Sequence, residues 1–253
     1  PTCPMPDSSL IQQSAKSRET CRICQSSDLT IYLDLGVMPL VNRYLDSPGQ
    51  TRTEPKFPLQ IAFCGRCGLS QLTRVVDPAV LYADYPYHSS ISQTFRTHCT
   101  ALADLLRERN LADSRSRILE IASNDGCLQR AFRSRDLTVL GVEPAANLAA
   151  DAQREGFAVV NAFWDAETAR AVRQEHGSFD VIIANNVVAH VDDLLGFLTS
   201  VRTALSDQGV FVFEVPDLKT FLTKTEFDTT YHEHLSYFLL TPLVRAITSA
   251  GMS

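Results

Sequence analysis

The chain has 253 residues, of which 45% are hydrophobic, and a formal net charge of -6 at pH 7. Its length and apolar content predict a buried core, in one large domain or in a large and a small one. Its acidic balance, without a long cluster of lysine or arginine, argues against binding to nucleic acid or to an anionic membrane surface. No apolar run is long enough to span a membrane and the start lacks the apolar stretch of a signal peptide, so we expect a cytoplasmic protein.

The first part of the chain predicts a leader and a small domain. Residues 1–20 are polar and lack periodicity, which predicts a mobile leader. Residues 21–87 hold short apolar pieces between prolines and glycines, such as TIYLDLG and PLQIAFC, which indicates short strands joined by turns. Apolar residues at helical spacing in 92–110 predict a helix that leads into a second domain over residues 88–253.

Two Cys-x-x-Cys pairs occur in the small domain, Cys21 with Cys24 and Cys64 with Cys67. Four thiolates are the ligand set of closed structural zinc sites, and glycines at 65 and 68 suit a tight turn in the second pair. We therefore predict zinc, with four reduced thiols or a redox pair as the alternative. The remaining cysteines are predicted to be leader or core thiols: Cys3, Cys99 and Cys127.

Short apolar strands alternate with amphipathic helices in the second domain. We predict strands within 117–123, 138–144, 158–163, 179–187 and 210–216, and helices at about 127–136, 145–156, 165–176, 192–206 and 241–250. This alternation predicts an α/β fold with a doubly wound parallel sheet. Because ligands bind beyond the carboxyl ends of such strands, the residues that end each strand are the candidate site.

The strand ends carry several polar or aromatic candidates. The first strand leads into a Ser-Asn-Asp-Gly turn, where backbone amides can meet ligand oxygens and Gly126 allows close approach. The second ends at Glu143, an acid placed to bind the hydroxyls of an adenosine ribose. Phe163 and Trp164 follow the third strand as walls for an adenine or as core that caps a helix. The fourth strand is followed by Asn185, Asn186 and His190. A G-x-G-x-x-G fingerprint is absent, which disfavours nicotinamide or flavin.

A series of motifs resembles, in order, those of the zinc-containing, AdoMet-dependent sugar C-methyltransferases: CRIC and CGRC, YPYHSSISQTF, LEIASNDG, VEP, ANNVVAHVDDL and FDTTYHEHLSYF. The similarity runs from Cys21 to the end of the chain. These enzymes act on nucleotide-linked 4-keto deoxysugars in antibiotic pathways. The resemblance implies an N-terminal zinc domain, a class I methyltransferase core that binds AdoMet, and a nucleotide-sugar substrate, with dTDP as the expected nucleotide.

The resemblance also implies a cofactor site. The family usually has glycine where Ala122 stands, and the added methyl could crowd the methionine part of AdoMet. The stretch YPYHSS, with Tyr85, Tyr87, Ser89 and Ser90, matches a family segment near cofactor and sugar, and a polar hinge is the alternative. The predicted cofactor-binding residues are Glu120, Ala122, Ser123, Asn124, Gly126, Glu143, Pro144, Phe163, Asn185 and Tyr87.

The stretch TYHEHLSYF at 230–238 allows three interpretations. A metal site is short of ligands, because the helical His-Glu-x-x-His pattern is absent and two histidines alone do not complete a zinc site. A polar loop is a second interpretation. Proton transfer fits best, since an imidazole can accept an α-proton and a phenol can donate to an enolate oxygen. By resemblance, Tyr231, Glu233 and His234 match the catalytic positions, with His234 as base, Glu233 to orient or tune the imidazole, and His232 in support.

The chain ends at TSAGMS, where class I methyltransferases continue with further strands and this family with a further domain. We therefore expect an incomplete sheet whose last strand is an open apolar edge that a second chain could cover. Two alternatives to C-methylation remain at this point. One is a noncatalytic or partner-dependent module of zinc domain and Rossmann-like core. The other is a methyltransferase that acts on oxygen or nitrogen of a non-sugar metabolite.

Overall fold

The computed structural model describes residues 15–82 and 84–253. The strands are β1 (Ala15–Ser17), β2 (Leu29–Pro39), β3 (Lys56–Cys64), β4 (Ser70–Leu72), β5 (Arg74–Val76), β6 (Ile118–Ile121), β7 (Val139–Val142), β8 (Val159–Val160), β9 (Phe179–Asn185), β10 (Leu205–Glu214) and β11 (Ser236–Tyr237). The α-helices are α1 (Pro78–Tyr82), α2 (Gln93–Glu108), α3 (Cys127–Arg133), α4 (Ala146–Arg154), α5 (Ala166–His176), α6 (Leu194–Ala204), α7 (Leu218–Lys224) and α8 (Leu240–Ser249). Most of the predicted leader, including Cys3, lies outside the described residues.

The chain folds into two compact units. The first comprises the N-terminal part through residue 82 together with 189–192 and 216–246, and the second comprises 83–188, 193–215 and 247–253. The sequence analysis placed 189–192 and 216–246 in the methyltransferase core, so the structure assigns these two segments differently. Three residues of the predicted leader, Ala15–Ser17, form a strand paired with Arg74–Val76.

The second unit contains a parallel sheet in the order β10-β9-β6-β7-β8, which confirms the predicted doubly wound α/β fold. Each predicted core strand is present, although the third is reduced to Val159–Val160. Strand β6 is buried along its whole length, as its apolar sequence ILEI requires for a central strand. The predicted helix over 92–110 is observed as α2, which begins after Ser92, whose side chain accepts a hydrogen bond from the Phe95 amide.

The core of the second unit lies between α2, α3 and one face of the sheet. Cys99 and Cys127 are both buried there, as predicted for core thiols. Their sulfur atoms are 4.0 Å apart. The carboxyl ends of β6, β7 and β9 are adjacent in this parallel sheet, so the residues that follow these strands meet at one edge.

The first unit contains an antiparallel sheet in the order β11-β4-β3-β2. The two predicted strands TIYLDLG and PLQIAFC are confirmed and form the long hairpin β2–β3. Strand β11 comes from far along the chain and pairs with β4, where the Leu72 amide donates to the Leu235 carbonyl oxygen. Its residue Tyr237 is fully buried with apolar residues of β3, β4 and α7. This burial places the segment that follows α7 in the first unit.

Within the described residues, no helix combines the length and the apolar character needed to cross a membrane.

Candidate active site and metal centre

The four predicted metal ligands of the first unit lie together. The Sγ atoms of Cys21, Cys24, Cys64 and Cys67 are all within 4.8 Å of one another. Sγ of Cys21 is 3.4 Å from that of Cys67, and Sγ of Cys24 is 3.6 Å from that of Cys64. Tetrahedral zinc with Zn–S bonds of about 2.3 Å requires sulfur atoms about 3.8 Å apart. The donor set therefore fits a closed zinc site, as predicted.

Both Cys-x-x-Cys pairs adopt the same turn, which aims their sulfur atoms at one point. The residue after each second cysteine is in the left-handed region, with φ +56° at Gln25 and +82° at Gly68. The amide of Gln25 donates to the Cys21 carbonyl oxygen, and the amide of Gly68 donates to that of Cys64. Gly65 is also required, because a Cβ there would come within 2.3 Å of the Asp28 carboxylate.

In the second unit, the predicted cofactor turn after β6 has an unusual backbone. Ala122 and Asn124 have φ of +56° and +51°, and Gly126 has φ of +78°. Glycine accommodates this region without cost, whereas a Cβ at residue 126 would lie 2.8 Å from the Phe157 ring. The expected glycine is absent at residue 122, so alanine adopts the left-handed conformation there. Alanine at this position therefore carries backbone strain.

Glu143 closes the cofactor turn from the end of β7. One carboxylate oxygen accepts from the Asn124 amide at 2.7 Å and the other from the Ala145 amide at 2.8 Å. Burial raises the pKa of Glu143, although both backbone hydrogen bonds favour the carboxylate. The adjacent Pro144 and Glu143 carbonyl oxygens both accept from the side-chain amide of Asn161. The carboxylate therefore fixes the turn itself, a structural role that adds to the predicted ligand role.

The segment YPYHSS lies against the same turn. The Tyr87 carbonyl oxygen accepts from the Asn124 side chain, whose Oδ1 accepts from the Ser89 amide. The backbone amide and hydroxyl of Ser90 both donate to the Asp125 carboxylate. These bonds bring Tyr87 to the cofactor turn through its backbone, while its side chain is 47% exposed. Tyr85 bonds instead to Asn147, through its amide and carbonyl groups.

The remaining predicted cofactor residues have different environments. Asn185 ends β9, and its side-chain nitrogen and oxygen are buried without a hydrogen-bond partner among the described residues. Ser123 is buried beside Gly141, where a Cβ would lie 2.4 Å from its hydroxyl. Glu120 is buried in β6, and burial followed by repulsion from Cys127, Glu143 and Asp125 raises its pKa well above the usual value. Phe163 is 42% exposed beyond the short strand β8.

The predicted base of the first unit, His234, is oriented by a backbone carbonyl. Nδ1 lies 2.9 Å from the Thr229 carbonyl oxygen, and Nε2 lies 2.7 Å from the Tyr231 hydroxyl. Since a carbonyl oxygen only accepts, Nδ1 carries the proton and donates to it. Nε2 therefore bears the lone pair of the neutral ring and accepts from Tyr231. Burial lowers the pKa of His234, which favours this neutral form.

A second histidine and tyrosine extend this cluster; the sequence analysis listed His190 only as a candidate beyond a strand end and did not single out Tyr82. The rings of His190 and His234 contact edge to face, with centroids 4.9 Å apart. Nδ1 of His190 is 2.9 Å from the Tyr82 hydroxyl. Burial, followed by repulsion from His234, lowers the pKa of His190 to about 3. The only sequence signal was the position of His190 after a strand end; nothing in the sequence indicated its contact with residue 234. We call Tyr82, His190, Tyr231 and His234 the imidazole cluster.

The other two residues of YHEH, His232 and Glu233, form hydrogen bonds with residues far away in the sequence. The Glu233 carboxylate is buried and accepts from the Asn42 side chain at 2.8 Å. Both nitrogens of His234 bond to other residues, so the Thr229 carbonyl fixes the orientation of the ring, and the role expected for Glu233 beside His234 stays a prediction. His232 donates from Nε2 to the Phe57 carbonyl oxygen at 3.2 Å and contacts the Phe57 ring. Its contacts anchor the segment on β3.

Two family profiles and several known proteins match this chain. Residues 21–82 match the family described as "Putative zinc binding domain", and residues 92–253 match the family described as "Methyltransferase domain". The C-methyltransferase NovU of Streptomyces niveus is 32% identical over 242 residues, which is 96% of this chain and 58% of NovU. This chain thus spans somewhat more than half the length of that relative, whose similarity supports the resemblance to C-methyltransferases.

The solved structure of a SAM-dependent methyltransferase from Archaeoglobus fulgidus shares 15% identity and a TM-score of 0.50, over 60% of this chain and 68% of the other. At that identity the likeness concerns the fold, and it agrees with the parallel sheet of the second unit. The sheet is that of a class I methyltransferase, and the methyltransferase match extends over more than half of the sequence. The chain therefore belongs to the methyltransferase domain family.

Proposed function

We propose that this chain carries the catalytic part of an AdoMet-dependent C-methyltransferase whose substrate is a nucleotide-linked 4-keto-deoxysugar, with dTDP as the nucleotide. The reaction removes a proton from the carbon next to the ketone and methylates the resulting enolate. The observation that carries the proposal is the lone pair on Nε2 of His234, a half-buried imidazole whose Nδ1 donates to the Thr229 carbonyl oxygen and whose lowered pKa favours the neutral form. Carbon methylation needs such a base, whereas many amines already present a lone pair to a methyl donor.

His234 is the proton acceptor in this proposal. Its Nδ1–H bond to Thr229 holds the ring in the tautomer that leaves Nε2 basic. Its lowered pKa keeps the imidazole unprotonated at neutral pH. Tyr231 holds its hydroxyl on Nε2 in the resting protein, and it can donate to an enolate oxygen once Nε2 has taken the α-proton. The acidic Glu233, held by Asn42, is proposed to bind a hydroxyl of the sugar.

His190 and Tyr82 are proposed to shape the environment of the base. With a pKa of about 3, His190 stays neutral when His234 becomes protonated, so it does not take the proton itself. Its ring contacts His234 edge to face and is fixed through Tyr82. A fixed neutral neighbour restricts the motion of the His234 ring. The base therefore keeps one geometry toward the α-carbon, which is the main requirement for efficient proton transfer.

The second unit is proposed to bind AdoMet, which supplies an electrophilic methyl group for the enolate carbon. The residues that would hold it are those of the turn after β6, with Glu143, Asn185 and Tyr87. The unpartnered amide of Asn185 and the close approach of backbone at Gly126 support this assignment. Ser123, Asn124, Pro144, Phe163 and Glu120 stay part of the proposed site. Zinc is proposed to fold the first unit and to take no part in the chemistry.

The test is exchange of the α-proton of a dTDP-4-keto-deoxysugar in deuterated water, measured by NMR with S-adenosylhomocysteine in place of AdoMet. Wild-type protein should exchange this proton, and His234→Asn should lose at least about a hundredfold in rate, the usual contribution of a general base. Asparagine can still donate to Thr229, so the fold should persist. The control His98→Asn changes a half-exposed histidine of the second unit and should exchange normally.

Other outcomes would favour other functions. Exchange by His234→Asn at the wild-type rate would remove His234 as the base. Methyl transfer to oxygen or nitrogen without exchange would identify a heteroatom methyltransferase. Zinc binding without cofactor binding would favour a noncatalytic module. A second chain on the edge of β10, and a cytoplasmic location, stay predictions.

A further inference from the structure

The first Cys-x-x-Cys turn, Cys21 to Cys24, contains a buried arginine, and we call this turn the zinc knuckle. Arg22 lies between the predicted ligands Cys21 and Cys24, and its side chain has no exposed surface. Nη1 donates to the Leu72 carbonyl oxygen at 3.0 Å, and Nε donates to Asp192 Oδ1 at 3.2 Å. A buried guanidinium is costly unless it is paired and hydrogen-bonded, and an apolar side chain would fill a structural knuckle without that cost. Arg22 therefore calls for a role beyond packing.

Its partner Asp192 gathers several cations. Besides Arg22, the carboxylate lies 2.8 Å from Lys16 Nζ and 3.7 Å from an Arg18 guanidinium nitrogen. The side chain of Asp192 is 15% exposed, so solvent screens these charges only in part. Residues 189–192 belong to the first unit although most of the neighbouring sequence does not. The ion pair with Arg22 attaches this short segment to the zinc knuckle, and those with Lys16 and Arg18 attach it to the residues just before the knuckle.

The other end of the same segment reaches the imidazole cluster. His190, two residues before Asp192, bonds to the Tyr82 hydroxyl at 2.9 Å and packs edge to face on His234. The segment is thus held at Asp192 by the knuckle and at His190 by the cluster. Only one residue, Val191, separates the two anchors, so a shift of Asp192 is expected to change the placement of the His190 ring.

We propose that Arg22 and Asp192 are positioning residues that couple the folded zinc knuckle to His190 and, through it, to the base His234. Cys21 and Cys24 would hold the metal and so order the turn that presents Arg22; Arg22 fixes Asp192, and Asp192 sets the position of the neighbouring imidazole. The knuckle thereby contributes to the geometry of the base as well as to the folding of the first unit. This inference rests on the proposed function for its catalytic consequence, and on the contacts alone for its structural one.

The activity test is a double-mutant cycle on α-proton exchange. Asp192→Asn should lower the maximal exchange rate about tenfold with little change in substrate KM, and His190→Asn should give a loss of similar or larger size. The double variant should be no slower than His190→Asn alone, because Asp192 acts through His190. Additive losses, or a normal rate in Asp192→Asn, would overturn the proposal. Asp34→Asn, which changes an exposed aspartate of the first unit, is the matched control.

A second measurement separates positioning from folding and does not depend on activity. Zinc content and unfolding temperature are measured for each variant, and the ring resonances of the histidines are recorded by heteronuclear NMR. Asp192→Asn should keep its zinc, while the resonances of His190 and His234 shift and that of His176 does not. Unchanged resonances in a zinc-loaded variant would overturn the proposal. The proposal would also be overturned if Asp192→Asn lost its zinc and this loss alone explained the changes in unfolding temperature and histidine resonances.

The neutralised pair Arg22→Met with Asp192→Asn gives the complementary test. It removes both buried charges, so it should recover stability relative to Arg22→Met alone, which leaves Asp192 without its buried partner. The resonances of His190 and His234 should nevertheless stay shifted from their wild-type positions, as in Asp192→Asn. Recovery of both stability and resonances would show that the pair only balances charge. If wild-type protein fails to exchange the α-proton, the proposed function has failed, and the NMR result still decides the coupling.

Discussion

The backbone at Ala122 allows a sharp test of the cofactor turn, by replacement of this alanine with glycine. With φ of +56°, an alanine bears about 1–2 kcal/mol of steric strain that glycine does not. Part of this stabilisation is offset, because glycine has more conformational entropy in the unfolded chain, which lowers the free energy of unfolding by about 0.4–1 kcal/mol. Loss of a half-buried methyl removes about 0.4 kcal/mol more. We therefore expect Ala122→Gly to raise the free energy of unfolding by about 0.4 kcal/mol, the midpoint of these opposing contributions.

The matched control is the same chemical change at Ala150, an exposed position inside helix α4. There glycine should lower the free energy of unfolding by about 1 kcal/mol, since it disfavours the helix. Thermal unfolding followed by circular dichroism compares the two variants with the parent. For a chain of this size, the expected difference between them is a melting temperature about 3–6 °C higher for Ala122→Gly. Equal destabilisation by both substitutions would refute the argument from backbone strain.

Three further predictions concern protonation, metal and cofactor. His190 has a pKa of about 3 in the folded chain against 6.5 in the unfolded chain. The unfolded state therefore binds more protons, and this group alone lowers the free energy of unfolding by about 2 kcal/mol from pH 7 to pH 5; urea unfolding should show a weaker pH dependence in His190→Asn. Cys24→Ser should reduce the zinc content measured by atomic emission and melt the first unit at lower temperature, and an unchanged melting curve would contradict a structural metal. Glu143→Gln should weaken S-adenosylhomocysteine binding at least about tenfold in calorimetry, because an amide nitrogen would face a backbone donor, while exposed Glu155→Gln should bind normally.

The repetitive parts of the fold were predictable from sequence, because each depends on local pattern. The strands of the parallel sheet are rich in apolar residues and are separated by polar segments, and helix α2 has its apolar residues at helical spacing. The four cysteines were predictable for a similar reason, since a two-residue spacing within each pair already implies a turn. Such signals act over a few residues and do not require knowledge of distant contacts.

The missed features depend on distant contacts. Strand β11 has two residues, too few for a period-two pattern, and its pairing with β4 crosses most of the sequence. The partners Tyr82 and His190 are likewise separated by 108 positions. The role of Thr229 was missed because a backbone carbonyl leaves no trace in a sequence. The partner of the Glu233 carboxylate, Asn42, lies 191 positions earlier in the chain, so the sequence did not indicate that contact either.

The assignment of residues to the two units bears on how the proposed carbon methylation would arise in this chain. A class I sheet with its cofactor turn serves methyl transfer to many kinds of atom, so the fold alone does not specify a carbon acceptor. The proposed base, its tyrosines and the second histidine all belong to the first unit, together with the zinc knuckle. Residues 189–192 are attached to the zinc knuckle by the hydrogen bond between Arg22 and Asp192. Residues 236–237 are attached to the antiparallel sheet by the pairing of β11 with β4. The proposed deprotonating groups thus lie in the same unit as the predicted metal site, and under the proposed function specificity for carbon should follow that unit more closely than the methyltransferase sheet.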